Sequence, residues 1–313
     1  MNKSSFGAGV FYAILAYFLW GLLPLYWKLL SDIDPFHIVG LRIIFSLVLV
    51  GGILLAAKNY TWLNYFRDKR QGLSLLLAGL LVSTNWVIYI WAVNNGYTIE
   101  TALGYYINPL ISVVLGLIIF KEKINLLQKL AFASAVLGVL FKLLFTGALP
   151  WISLVLAVSF SIYGVFKKTV KLSALESLGG ETLAAIPVSL FLLTGLFGQD
   201  KFPNLQELNY LSELPVITLL LLLFCGLVTM LPLFLFAKSV KILPLSTIGF
   251  LQFLAPTLTF LTGIFIFQEE FPNHNFIVFG LIWASVILYI ISLKRDAVVK
   301  PEESVINKEG DVV

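Results

Sequence analysis

Residues 100–123 read ETALGYYINPLISVVLGLIIFKEK. This apolar run is long enough to cross a bilayer, roughly 20 residues at about 1.5 Å of rise each. It opens on Glu100, carries Asn108 and Pro109 near its middle, and closes on Lys121, Glu122 and Lys123. A similar stretch returns at 245–270, LSTIGFLQFLAPTLTFLTGIFIFQEE. Aligning Pro109 with Pro256 brings Glu122 onto Glu269 and Phe120 onto Phe267. A helix-breaking residue at the same place in two membrane segments points to a duplicated fold with a site at its centre.

The composition agrees. Of 313 residues, 59% are hydrophobic and 12% charged. A soluble domain carries about 25% charged residues, so too little charge is present to cover a water-facing surface. The chain is therefore expected to be an all-α integral membrane protein. Its single cysteine, Cys225, lies in an apolar run and reads as a small buried hydrophobe, which leaves no disulfide framework or cysteine metal site. The first apolar run lacks a small-residue cleavage site and reads as a retained span.

Ten apolar spans follow in order: 7–27, 36–57, 72–92, 100–120, 127–146, 148–167, 174–197, 214–236, 245–267 and 275–293. Residues 294–313 are polar, without apolar periodicity, and are expected to form a disordered tail. With the N-terminus in the cytoplasm, 17 Lys and Arg residues fall on inner segments and only Lys28, Lys142 and Lys201 on outer ones. The positive-inside rule then places both termini in the cytoplasm.

The spans divide into two halves, 1–146 and 147–293. Trp20-Gly21 in span one resembles Tyr163-Gly164 in span six, and the interval from Pro35 to Arg42 in span two matches that from Ala174 to Glu181 in span seven. Five spans per half is an odd number, so the second half is expected to sit upside down relative to the first. Inverted repeats with a site at their interface are a transporter architecture. A passive channel or a membrane receptor is the alternative.

Polar groups retained at membrane depth mark a pathway. Arg42 lies roughly two turns into span two. It reads either as a structural ion pair or as an anchor for a carboxylate or phosphate, which guanidinium binds bidentately. Glu100 is its expected partner at the outer gate. Glu181 enters from the opposite face, offset by about 10 Å, so no bond to Arg42 is expected. Glu100 and Glu181 are also candidate proton carriers, because apolar surroundings hold a carboxylate in its neutral form. Pro109 and Pro256 are candidate hinges that free the carbonyls of Tyr105 and Gln252. Tyr105, Tyr106 and Asn108, with Gln252, are expected to line one central volume. Asn85, Trp86 and Tyr89 in span three and Tyr17 and Trp20 in span one add polar and aromatic surface, with Tyr163 of span six as the counterpart of Trp20. Trp27, Trp62 and Trp151 at span ends read as interface belts.

Nothing points to catalysis. The only histidines, His37 and His274, lie near outer span ends, and the chain has no H-E-x-x-H, nucleophile elbow or P-loop. No catalytic residue, metal site or cofactor is expected. The expected partners are the lipid bilayer, a small-molecule substrate and H+ or another coupling ion, with no nucleic acid.

Four stretches, AYFLWGLLPLYWK (16–28), NWVIYIWAVNNG (85–96), ETALGYYINPL (100–110) and STIGFLQFLAPT (246–257), resemble the RarD group of EamA-type proteins in the drug/metabolite transporter superfamily. The resemblance covers essentially 7–293. It implies ten transmembrane helices in two inverted five-helix EamA-type repeats, a bacterial inner-membrane location, and export or exchange of small polar or aromatic metabolites or drugs by alternating access. One departure is Lys123, which stands where span nine has Glu270. No symmetric role is assigned to that pair.

Overall fold

A computed structural model describes residues 3–94, 97–146, 151–194, 214–268 and 274–309. The described residues form helices without strands: α1 Lys3–Lys28, α2 Pro35–Ala56, α3 Thr61–Asn64, α4 Lys69–Asn94, α5 Thr98–Ile119, α6 Leu126–Thr146, α7 Trp151–Thr169, α8 Ala174–Ala184, α9 Ile186–Thr194, α10 Val216–Ile242, α11 Leu245–Gln252, α12 Leu254–Phe265 and α13 His274–Glu309. Eight helical stretches among the described residues are long and apolar enough to cross a membrane. The pair α8–α9, bent by 44°, makes a ninth if counted as one span, and Gly104–Ile119 is a shorter apolar helix. The chain is an all-α, multi-pass membrane protein.

Local chemistry fixes three of the helix starts. Asp34 caps α2, its Oδ1 accepting from Phe36 N at 2.7 Å and His37 N at 3.3 Å, with Pro35 preset at the first position. Ser173 and Glu176 form a reciprocal capping box on α8. Asn125 and Gln128 exchange the equivalent pair of bonds at α6, at 3.0 and 2.9 Å. Three non-glycine residues take left-handed φ at helix ends: Lys58 (52°), Lys121 (51°) and Gln268 (54°). Lys121 and Gln268 each immediately precede the aligned glutamates of spans four and nine.

Two spans are interrupted, each just before a proline, and one of these prolines, Pro256, is an expected hinge. Span seven bends at Ala185, two residues before Pro187, which cannot donate back along the helix. Span nine breaks at Phe253, three residues before Pro256. Pro109, by contrast, sits inside an uninterrupted α5. A further correction concerns the C-terminal segment: α13 runs on to Glu309, so 294–309 is helical where an irregular tail was expected. Extending an established helix adds one hydrogen bond per residue without a new nucleus, so a polar sequence can continue it.

The two halves interleave. α1 packs on α10 and α12, while α7 packs on α4 and α5; α2 packs on α10, while α8 packs on α4. α2 also meets α8 and α9, α5 meets α11, and α6 lies along α13. Exchanging spans one to five with six to ten maps this list of neighbours onto itself. The α6–α13 pair stands to one side, joined by a 2.7 Å bond from Ser134 Oγ to the Leu281 carbonyl.

Candidate functional site

Arg42 projects from α2 about 10 Å along the helix from Pro35. Its guanidinium carbon lies 3.9 Å from the Trp86 ring centroid and 5.3 Å from that of Trp27. Indole faces attract the cation. Arg42 Nε is buried with no hydrogen-bond partner. Among the described residues no carboxylate pairs with it. Tyr89, Tyr105 and Cys225 lie within electrostatic reach, and the Tyr89 and Tyr105 rings meet edge-on at 5.7 Å. Tyr105 is 44% exposed although it lies about two turns into α5, so open surface adjoins this cluster.

Glu181 occupies the matching position on α8, and its surroundings differ. Lys167 Nζ approaches its carboxylate at 3.1 and 3.2 Å and also donates to Ser177 Oγ at 2.7 Å. The Tyr163 hydroxyl donates to Glu181 Oε1 at 2.9 Å. Both side chains of the ion pair are almost completely buried. Glu181 thus has hydrogen-bond donors of its own within the bundle.

Between these clusters stands an aromatic wall. Trp20 contacts Tyr17, Phe160 and Phe236 at 5.5–5.6 Å, and Tyr163 stacks on Phe236 at 6.0 Å. The Tyr17 hydroxyl is buried without a partner. A bare polar atom inside a membrane bundle is costly unless water or a ligand serves it.

The other expected residues are placed elsewhere. Asn85 Nδ2 donates to the Leu156 carbonyl at 2.8 Å and Ser159 Oγ at 2.9 Å, which ties α4 to α7. Asn108 Oδ1 accepts from Ser161 Oγ at 2.7 Å, which ties α5 to α7. Both amides serve helix contacts. Tyr106 packs with Phe253 and Phe279, toward α13. Gln252 is buried at the end of α11 beside the Phe253 break. The Pro109 carbonyl abuts Gly249, where an added Cβ would lie 2.6 Å from it, and Pro256 lies in the first turn of α12 near α1. Glu100 belongs to the first turn of α5, and its side chain lies outside the described residues. Sequence reasoning passed over Lys167, which reads as one of two solvated lysines at a span end, and Trp27, which reads as an interface anchor. It also gave Cys225 only a packing role. The nearness of these residues to Glu181 and Arg42 is a tertiary fact with no local signal.

Comparison with known proteins returns one consistent picture. The model of the EamA-like transporter family matches twice, over residues 7–144 and 148–291. An uncharacterized transporter, YojE, of Bacillus subtilis is 41% identical, covering 93% of this chain and 96% of its own. Protein RarD of Streptomyces exfoliatus is 38% identical (92% and 90%), and protein RarD of Escherichia coli 33% identical (93% and 96%). One solved crystal structure has the same fold, with TM-score 0.68 at 20% identity over 92% of this chain and 98% of the other.

Proposed function

Because the chain belongs to the EamA-like transporter family and resembles its RarD members along most of its length, we propose that it is a secondary transporter built of ten spans in two inverted repeats. It moves a small polar or aromatic molecule, by export or exchange, through alternating access. The double family match, the neighbour list that survives exchange of the halves, and the left-handed residues at matching helix ends support the repeat. The lysine bias supports cytoplasmic termini, and the bacterial relatives support an inner-membrane location.

The observation that carries the site assignment is the Arg42 guanidinium, held near the Trp86 and Trp27 rings with Nε unpartnered. In this reading an oxyanion of the substrate, a carboxylate or phosphate, approaches Arg42. The aromatic wall of Trp20, Phe160 and Phe236 accommodates its body. Glu100 keeps the outer-gate role expected from sequence, and it remains the candidate proton carrier, because Glu181 is already paired. A passive channel or receptor gains no specific support from these contacts.

The test is a thermal-shift screen of purified protein against carboxylates, amino acids, nucleosides, sugar phosphates and amphenicol drugs. Ligands of the native state raise the melting temperature by mass action. Hits bearing an oxyanion should lose their shift in Arg42→Ala. Unaltered shifts, or wild-type transport by that variant, would remove Arg42 from the site.

A further inference from the structure

Spans four and nine form the seam between the halves. Along α11 they touch backbone to backbone: a Cβ on Gly249 would stand 2.6 Å from the Pro109 carbonyl oxygen, and one on Gly116 would stand 2.9 Å from Ser246 N. Beyond the Phe253 break they part, α12 packing mainly on α1. The bundle is thus drawn together at one end of this seam.

One side chain ties the two spans together at that end, where Asn59–Glu176 and Tyr65–Lys171 bonds also cross between the halves. Pro244 precedes α11 and gives it no side-chain cap, leaving its first amides to be satisfied from elsewhere. Glu122, on the α5–α6 connection, takes them. Leu245 N donates to its Oε1 at 2.6 Å, and Ser246 N and Oγ donate to its Oε2 at 2.8 and 2.7 Å. Lys168 Nζ stands 3.9 Å from the same carboxylate. The turn that aims Glu122 is strained: Lys121 has φ 51°, a conformation costing a non-glycine residue about 1–2 kcal/mol. Such backbone persists where its surroundings hold it.

We propose that Glu122 is a positioning residue of the transport cycle. Its carboxylate latches α11 to α5 and holds the bundle shut at the end that the lysine bias assigns to the cytoplasm. It must release the α11 amides before that end can open. The proposal rests on the alternating-access reading above. The nearby lysine contacts do different work. Lys168 donates to the Val240 and Leu243 carbonyls, and Lys241 to those of Val170 and Leu172. This reciprocal exchange joins α7 to α10 within the second half, whereas Glu122 joins one half to the other.

The experiment places spin labels on Lys123→Cys and Lys171→Cys, exposed positions on connections of opposite halves. It uses the full chain in lipid nanodiscs, where the fully buried Cys225 does not compete for label. The parent protein should give one short-distance population. Glu122→Ala should add a population longer by roughly 5 Å or more, about one helical turn, and Ser246→Ala a smaller share of the same population. A second pair, Lys171→Cys with Lys238→Cys, lies inside the second half and should not change. An unaltered first distance, or equal lengthening of both pairs, overturns the latch. Should Glu122→Ala fail to fold, Glu122→Gln and Ser246→Ala decide by the same distances. No substrate enters the measurement, so a negative result removes the latch while the Arg42 assignment stands or falls by its own screen.

Discussion

Arg42 on α2 and Glu181 on α8 sit at the same distance from the start of their helices, in corresponding spans of the two halves. One is a cation with an unpartnered nitrogen near two indole rings; the other is a carboxylate that accepts from Lys167 and Tyr163. The family model matches both halves, and their chemistry at this position differs. In the first half the charge is left available, and in the second it is paired within the fold. A pocket that must bind an oxyanion needs one such available cation. A second bare charge at the same depth would only add desolvation cost.

The largest effect that sharpens this contrast is on stability. Lys167→Ala leaves the Glu181 carboxylate buried without its counter-charge, and the cost should be about 3–5 kcal/mol, read as a large drop in melting temperature. Replacing both partners, Lys167→Met with Glu181→Met, should recover most of that loss. A Lys167→Ala protein as stable as the parent would show that Glu181 is not held by this pair. Arg42→Ala should behave oppositely, losing ligand response while moving the melting temperature far less, because no partner is left stranded. Equal destabilisation by the two variants would break the comparison. The smallest effect is expected at Trp86→Leu, which removes the closer cation–π face; ligand affinity should fall by about 1–2 kcal/mol, some 5–30-fold, with Arg42 still present. A titration of the best screening hit measures it.

Much of this was legible because lipid restricts the options. A span must be apolar and about 20 residues long, so helix lies on each expected stretch. Eight helical stretches among the described residues are long and apolar enough to cross, and Arg42 stood out as a basic residue about two turns inside span two. Trp86, Tyr89 and Tyr105 gather beside it, where the sequence offered Glu100 as its partner and assigned these aromatics to a wall and a central volume. What could not be read is pairing across spans. Asn85 and Asn108 look the same in sequence whether they face a cavity or, as here, bond to α7. Lys167 and Glu181 approach only because the turn after α7 brings its last residues beside α8. The bend after Glu181 did have a local signal in Pro187. Pro24 and Pro232 lie within continuous helices, so proline alone does not distinguish a joint from a straight run.

The contact between the Pro109 carbonyl and Gly249 also has a mechanical meaning. It lies near the middle of α5, leaving arms of about 15 Å on either side at the rise of an α-helix. α5 is uninterrupted, whereas its partner is jointed at Phe253. In the alternating-access cycle proposed above, a stiff beam balanced on a fulcrum would convert closure at one tip into a comparable opening at the other. A hinged partner can follow the near tip without being dragged by the far one. Filling the notch at Gly249 with a side chain would shift the fulcrum and unbalance the two arms.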